Sequence, residues 1–153
     1  MNVPQFDSGL AFWANKSMLE KAGVRIPTDY TDAWDKDEFD DALKKLKDSG
    51  VEWPIYVRQN KPSTEYYTWM PFVASFGGDY MNRETGLCTG TLDGDNTIAA
   101  FDYLSSLFTD GYADATCDYE DSFQKGENAL ALYGHSKYQD YKAALGDDLI
   151  LVP

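Results

Sequence analysis

Aromatic side chains are concentrated at the start of one predicted helix, in the stretch 63–78. Tyr66, Tyr67 and Trp69 fall in its first two turns. On a 3.6-residue period the apolar side chains of this stretch cover more than half of the helix circumference, so most of them are expected to pack into the core. The two tyrosines and the tryptophan are more aromatic residues than packing of this helix against the core requires. Their flat faces and polar groups suit a ligand such as a sugar, while core packing is the alternative for each one.

A pair of carboxylates would provide a different chemistry, that of a glycoside hydrolase. Glu65 and Asp79 are the candidates. The chain contains 26 acidic and 13 basic residues, so such pairs also arise by chance. No nucleophile, metal or phosphate-loop motif accompanies the pair. The sequence therefore favours binding without chemistry, with the hydrolase as the alternative.

Metal and thiol chemistry have little support in the sequence. His135 is the only histidine, so a metal centre or a catalytic triad would depend on it. Cys88 and Cys117 lack the spacing of a zinc site or a redox pair. They flank one predicted helix, and both a disulfide and two free thiols remain possible. The acidic loop 114–121 lacks the ligand pattern of an EF-hand, so we expect no metal and no cofactor.

Length and charge set further limits. A chain of 153 residues is long enough for one domain with a core, and 43% hydrophobic with 15% aromatic residues excludes disorder. The net charge of -13 argues against nucleic acid or an anionic membrane as a partner. No apolar run reaches the length of a membrane-spanning helix, and residues 1–4 do not resemble a signal peptide. We expect either a cytoplasmic protein or a piece of a longer secreted precursor.

Helical and strand patterns alternate along the chain, which predicts an α/β layered domain. Strands are predicted at 10–14, 54–57, 129–133 and 149–153. Helices are predicted at 16–21, between Asp35 and Gly50, at 63–78, 95–110 and 122–126, and from Ser136 to Leu145.

Local signals refine these elements. Asn15 is expected to cap the first helix, and Asp35 with Glu38 forms a capping-box pattern at the second. Pro71 should kink or interrupt the aromatic helix. Residues 80–88 are predicted to form a hairpin with Gly86 in the left-handed region.

The helix 95–110 has apolar side chains at helical spacing. Ile98, Phe101, Leu104 and Phe108 recur at this spacing, and Gly111 follows the predicted helix.

Three motifs occur in a fixed order. The first is Phe-Trp-Ala-Asn-Lys at 12–16, with Pro27 and Trp34-Asp35 downstream; the second is Tyr-Tyr-Thr-Trp at 66–69 before Gly77-Gly78; the third is Phe-Gln-Lys-Gly-Glu-Asn-Ala-Leu-Ala-Leu-Tyr-Gly at 123–134. Together they span nearly the whole chain. In this order and spacing the chain resembles the extracellular solute-binding proteins of ABC transporters, family 1, the maltose or sugar-binding type.

The resemblance implies a single lobe of a type II periplasmic-binding-protein fold, with a central, mostly parallel sheet flanked by helices. Residues 1–153 would be the second, C-terminal-type lobe, as an excised fragment. The implied function is oligosaccharide binding in an inter-lobe cleft for uptake, without chemistry. A non-sugar solute, a hydrolase domain and a free-standing interaction module are the alternatives.

The resemblance also implies partners and a location. The partners are the missing first lobe of the same protein and an ABC permease in the membrane, and no nucleic acid is expected. The full-length protein would be extracytoplasmic, in the periplasm or lipid-anchored at the cell surface.

By the family pattern, ligand contacts come from Tyr66, Tyr67 and Trp69 and from the turn at His135 and Ser136. Many sugar binders have a tryptophan after the glycine of this turn, where the present chain continues His-Ser-Lys-Tyr at 135–138. Ser136 heads a helix whose free amides suit a hydroxyl or an anionic group. His135 is expected either to bond a ligand or to cap the turn. Phe6 and Asp7 are weaker candidates, on position alone.

Overall fold

The computed structural model describes residues 9–58, 62–116 and 121–153, and for 62–66 it describes the backbone alone. Helices and strands alternate, which confirms the α/β class. The strands are β1 (Leu10–Asn15), β2 (Ile55–Tyr56), β3 (Leu130–Gly134) and β4 (Leu149–Val152). The helices are α1 (Lys16–Ala22), α2 (Lys36–Asp48), α3 (Pro62–Ser75), α4 (Asp95–Thr109) and α5 (Tyr138–Leu145), with 3₁₀ turns at Tyr30–Asp32, His135–Lys137 and Gly146–Asp148.

The described residues divide into two compact units. The first contains 9–57, 112–114 and 121–153, and so all four strands with α1, α2 and α5. The second contains the described part of 58–111 with 115–116, and so α3 and α4. No helix in the described ranges is long and apolar enough to cross a membrane.

The strands of the first unit form one sheet in the order β2-β3-β1-β4. β1 is antiparallel to both of its neighbours, and β2 is parallel to β3. The expectation of a mostly parallel sheet is therefore wrong for the pairings. The helical connection through α5 brings β4 back in the direction of β3, and β1 fills the gap between them in the opposite direction. β2, β3 and β4 all point the same way.

Local signals at β1 and α1 act as predicted. All five residues of β3 are buried, and the strand has a neighbour on each side in the sheet. The Asn15 side chain accepts a hydrogen bond of 3.1 Å from the Met18 amide, and Gly23 ends α1 with φ 68°. The predicted cap of this helix at Asn15 is confirmed.

The capping box of α2 is also confirmed. Asp35 accepts from the Glu38 amide at 2.9 Å, and the Glu38 carboxylate accepts from the Asp35 amide at 3.2 Å. The helix buries Ala42, Leu43 and Leu46. These contacts place α2 as an amphipathic layer of the first unit.

α3 continues from Pro62 to Ser75 through Pro71, so the predicted interruption is wrong. Pro71 is exposed, and the neighbouring Phe72 and Val73 are buried. Packing of these neighbours offsets the lost backbone hydrogen bond and keeps the helix continuous.

α4 confirms the predicted helix and ends at Thr109, one residue before the predicted end. Ile98 and Phe101 are 48% and 38% exposed. The fully or nearly buried residues are Thr97, Ala100, Leu104 and Leu107. Gly78 packs closely against α4, since a Cβ at this glycine would lie 2.6 Å from Thr97 Oγ1.

Two short predictions fail wholly or in part. Residues 80–88 turn back as predicted, since the Asn82 amide donates to the Leu87 carbonyl and the Gly86 amide to the Asn82 carbonyl at 2.9 Å each, but the flanking strands of a hairpin are absent. The Asn82 side chain also accepts from the Glu84 and Thr85 amides, which favours a turn. Gly86 has φ 70°, as predicted. Residues 122–126 form turns instead of a helix, because five residues are too few to offset helix nucleation.

Candidate functional site

The turn that follows β3 lies at the carboxyl end of this interior strand, in the sheet of the first unit. Gly134 ends β3 opposite Leu10 of β1, and the 3₁₀ turn His135–Lys137 leads directly into α5. His135 and Ser136 are both exposed. Ligands in α/β folds bind at the carboxyl ends of strands. The two residues therefore lie at the carboxyl end of a strand, where α/β folds bind ligands.

His135 is tied to the segment before β1. Its backbone amide donates to the Gly9 carbonyl at 3.0 Å, and its ring Nδ1 lies 3.3 Å from the same oxygen. A carbonyl oxygen only accepts, so this contact requires the proton on Nδ1 and leaves Nε2 of the neutral ring as an acceptor. The cap and the ligand contact proposed for His135 use different ring nitrogens and are compatible.

Tyr138 adds an aromatic ring to this turn. It begins α5 and is 45% exposed, and its ring stacks against Trp13 with centroids 6.1 Å apart and planes 29° apart. In the sequence, Tyr138 stands out only as the last residue of the segment 135–138, which departs from the family pattern. Trp13 lies 125 positions earlier, so local spacing contained no signal for this contact.

The second unit contains the other predicted residues. Tyr67 and Trp69 are partly exposed on α3, and the side chain of Tyr66 lies outside the described residues. The Trp69 ring meets Phe101 edge-on, with centroids 6.2 Å apart. Its Nε1 is buried without a hydrogen-bond partner among the described atoms. Trp69 thus exposes part of its ring but not its donor.

The five predicted residues are divided between the units. His135 and Ser136 are brought together in one turn of the first unit, and Tyr67 and Trp69 share one helix of the second. Phe6 and Asp7 lie outside the described residues.

A polar cleft of about 370 Å³ lies at the start of α4 in the second unit. None of the five predicted residues is among those that line it. Its described lining is Gly77, Gly78, Asp79, Gly90, Thr91, Gly94, Asp95, Asn96 and Thr97. Thr97 is fully buried, and its single hydroxyl proton is shared between the Thr91 and Asp79 carbonyl oxygens, which lie 2.9 and 3.2 Å from Oγ1. The Thr97 hydroxyl thus has partners within the protein.

Asp79 is held by Arg83. Nε and Nη2 of the guanidinium donate to its two carboxylate oxygens at 2.9 and 3.0 Å. The Arg83 hydrogen bonds, with the Tyr80 amide adding to them, lower the pKa of Asp79 below its ordinary 3.8. A glycosidase acid needs a raised pKa, so Asp79 does not fit the role of the acid in a hydrolase pair. The side chain of Glu65 lies outside the described residues.

Of the two cysteines, only Cys88 lies in the described part of the chain. Cys88 is an exposed free cysteine, and Cys117 lies outside the description. Within the described ranges no group of three His, Cys, Asp or Glu side chains is placed to hold a metal ion.

A mixed sheet flanked by helices, with an exposed polar and aromatic turn at the carboxyl end of one strand, is typical of α/β ligand-binding domains. The sequence profile of the bacterial extracellular solute-binding protein family matches residues 1–149. The chain belongs to this family, whose members bind solutes outside the bacterial cell. Among curated proteins, none matches the chain.

Solved structures share the fold. The GacH receptor of Streptomyces glaucescens GLA.O, studied unliganded and with acarbose, matches 99% of the chain with 38% of its own, at 24% identity and a TM-score of 0.78. UgpB from Mycobacterium tuberculosis, in complex with glycerophosphocholine, matches 95% with 36% of its own, at 24% identity and a TM-score of 0.75.

A third similar structure is the ABC substrate-binding protein Lmo0181 from Listeria monocytogenes, in complex with cycloalternan. It matches 90% of the chain with 34% of its own, at 25% identity and a TM-score of 0.70. The chain therefore spans less than two fifths of the length of these three proteins.

Proposed function

We propose that this chain is one lobe of an extracellular solute-binding protein of an ABC transporter and that its ligand is an oligosaccharide. The observation that supports this most is the likeness to GacH over 99% of the chain, within a family profile that spans residues 1–149. GacH has been studied with acarbose and Lmo0181 with cycloalternan, both carbohydrates.

The site chemistry fits such a ligand. Sugars present hydroxyls at the ring edge and apolar C–H faces, so they need hydrogen-bonding groups beside aromatic rings. In the first unit, His135 and Ser136 supply polar groups in one exposed turn. In the second unit, considered by itself, Tyr67 and Trp69 are partly exposed aromatic residues of α3. Tyr66 belongs to this proposed set by its place in the sequence. The net charge of -13 favours a neutral ligand over an anionic one.

The complete protein supplies the rest of the proposal. Residues 1–153 form its second lobe, a first lobe closes over the ligand, and an ABC permease receives it. The complete protein is extracytoplasmic, held in the periplasm or by a lipid anchor. The ligand is bound and released without chemical change.

Titration calorimetry on the complete gene product tests this function. We expect one-to-one binding of maltotriose or laminaribiose and no heat with glycerophosphocholine. Tyr67→Ala and His135→Ala should weaken the binding, and Tyr30→Ala, at a tyrosine that is 84% exposed and outside the site, should not.

Two outcomes would favour the alternatives. Heat with glycerophosphocholine alone would identify a non-sugar solute, as in the UgpB complex. Hydrolysis of a chromogenic glycoside that disappears in Glu65→Gln would identify an enzyme.

A further inference from the structure

The turn at His135–Lys137 is attached to the segment that enters β1. Gly134 precedes the turn, and no side-chain hydrogen bond caps it there. The Gly9 carbonyl accepts from the His135 amide at 3.0 Å, and the ring Nδ1 of the same residue lies 3.3 Å from that oxygen. A carbonyl oxygen has two lone pairs and can accept both bonds. His135 therefore attaches the turn to Gly9 through its backbone and through its ring.

Gly9 is a firm point of attachment. Leu10, the next residue, is paired with Gly134 at the end of β1. β1 has an antiparallel neighbour on each side, β3 and β4. The ring contact joins positions that are 126 residues apart. It therefore ties the turn to the sheet and not to a neighbour in sequence.

The ring contact acts on side chains that are open to solvent. His135 and Ser136 are both exposed. Ordering an exposed side chain costs conformational entropy, and a group that is already ordered before binding adds less to the cost of binding. A hydrogen bond from Nδ1 selects one orientation of the imidazole before any ligand is present. The contact thus prepares the turn for binding without touching the ligand.

We propose that His135 is a positioning residue, which holds the turn His135–Lys137 in its binding conformation by donating from Nδ1 to the Gly9 carbonyl. This inference rests on the proposed function, because the turn is part of the site proposed for the ligand. It assigns the contribution of His135 to Nδ1, which contacts the protein, and not to a ligand contact of Nε2.

Two substitutions separate the ring nitrogens. The side-chain amide of His135→Asn can donate from the place of Nδ1, and that of His135→Gln reaches the place of Nε2. Calorimetry with maltotriose and laminaribiose on the complete gene product measures Kd. We expect His135→Asn to stay within about twofold of the wild type and His135→Gln to raise Kd about three- to tenfold, as for the loss of one hydrogen bond. Tyr30→Ala is the exposed control and should leave Kd unchanged.

NMR tests the contact without a ligand. Nitrogen chemical shifts should place the proton of the neutral wild-type His135 ring on Nδ1. The carbonyl carbon of Gly9 should keep its chemical shift in His135→Asn and change it in His135→Gln. The Ala129 carbonyl, which accepts from the Asn15 amide at 2.9 Å at the other end of the same strand pair, is the internal control. A neutral wild-type ring with its proton on Nε2 overturns the inference even if a variant fails to fold.

The binding outcomes separate this inference from the proposed function. Equal Kd values for the two variants, raised or unchanged, overturn the positioning role and leave the function standing. Binding that is retained in His135→Gln and lost in His135→Asn also overturns it, since Nε2 would then contact the ligand. A wild-type protein that binds neither sugar overturns both proposals.

Discussion

At the residue scale, the ion pair between Asp79 and Arg83 shows how a neighbouring cation sets the chemistry of a carboxylate. The guanidinium stabilises the charged form of Asp79 and lowers its pKa from the ordinary 3.8. A group with a lowered pKa stabilises the folded state above its unfolded pKa and loses that contribution as the pH falls through the folded pKa. The contribution of Asp79 is therefore complete above about pH 4 and disappears in more acidic solution.

The pH prediction concerns the titration of this carboxylate. We expect Arg83→Gln to move the pKa of Asp79 back towards 3.8, because the strongest stabilising partner of the charged form is removed. Carboxyl NMR chemical shifts followed against pH measure the change. Lys125→Gln is a matched control, since it should raise the lowered pKa of Asp121 and leave Asp79 as it was. An Asp79 pKa that ignores Arg83→Gln would contradict the assignment.

At the element scale, α3 tolerates a proline because its neighbours are packed. Pro71 removes one amide from the helix and is exposed. A proline in a helix interior costs about 3 kcal/mol of stability relative to alanine. Proline also lowers the conformational entropy of the unfolded chain, which offsets about 0.4–1 kcal/mol of that cost. The helix thus contains a local cost that its packing offsets.

Replacing that proline should stabilise the protein. We expect Pro71→Ala to raise the free energy of unfolding by about 1–3 kcal/mol, since it restores a backbone hydrogen bond and loses no buried contact. Urea denaturation followed by circular dichroism measures the change. Ser105→Ala, at an exposed position of α4, controls for helix propensity and should give about 0.5 kcal/mol or less. A decrease in Pro71→Ala would mean that the proline ring makes a stabilising contact.

At the scale of the whole molecule, the chain corresponds to 38% of the length of GacH. A ligand that two lobes enclose makes only part of its contacts with each lobe. The free-energy cost of immobilising the ligand is the same whether one lobe or both lobes bind it. A single lobe should therefore have too few contacts to hold a sugar firmly.

We accordingly expect the 153-residue chain to bind maltotriose or laminaribiose at least tenfold more weakly than the complete gene product, or not measurably. Calorimetry on the two proteins under the same conditions makes the comparison. Micromolar binding by the 153-residue chain alone would contradict the two-lobe proposal and indicate a self-contained site.

The sequence by itself determined the elements whose signals are local. The cap at Asn15, the reciprocal cap of Asp35 with Glu38 and the apolar run of β3 need only neighbours within four positions. The same is true of the α/β class, since it follows from the order of the elements.

The tertiary structure alone decided which distant segments meet. It placed β1 between β3 and β4, packed Thr97 of α4 beside Gly78, and set Tyr138 on Trp13. Each outcome depends on packing between residues that are far apart in the chain, and periodicity within one segment contains no information about its partner. Thus the sequence predicted ligand contacts at the turn of His135, and only the fold showed that Tyr138, which follows this turn, stacks against Trp13.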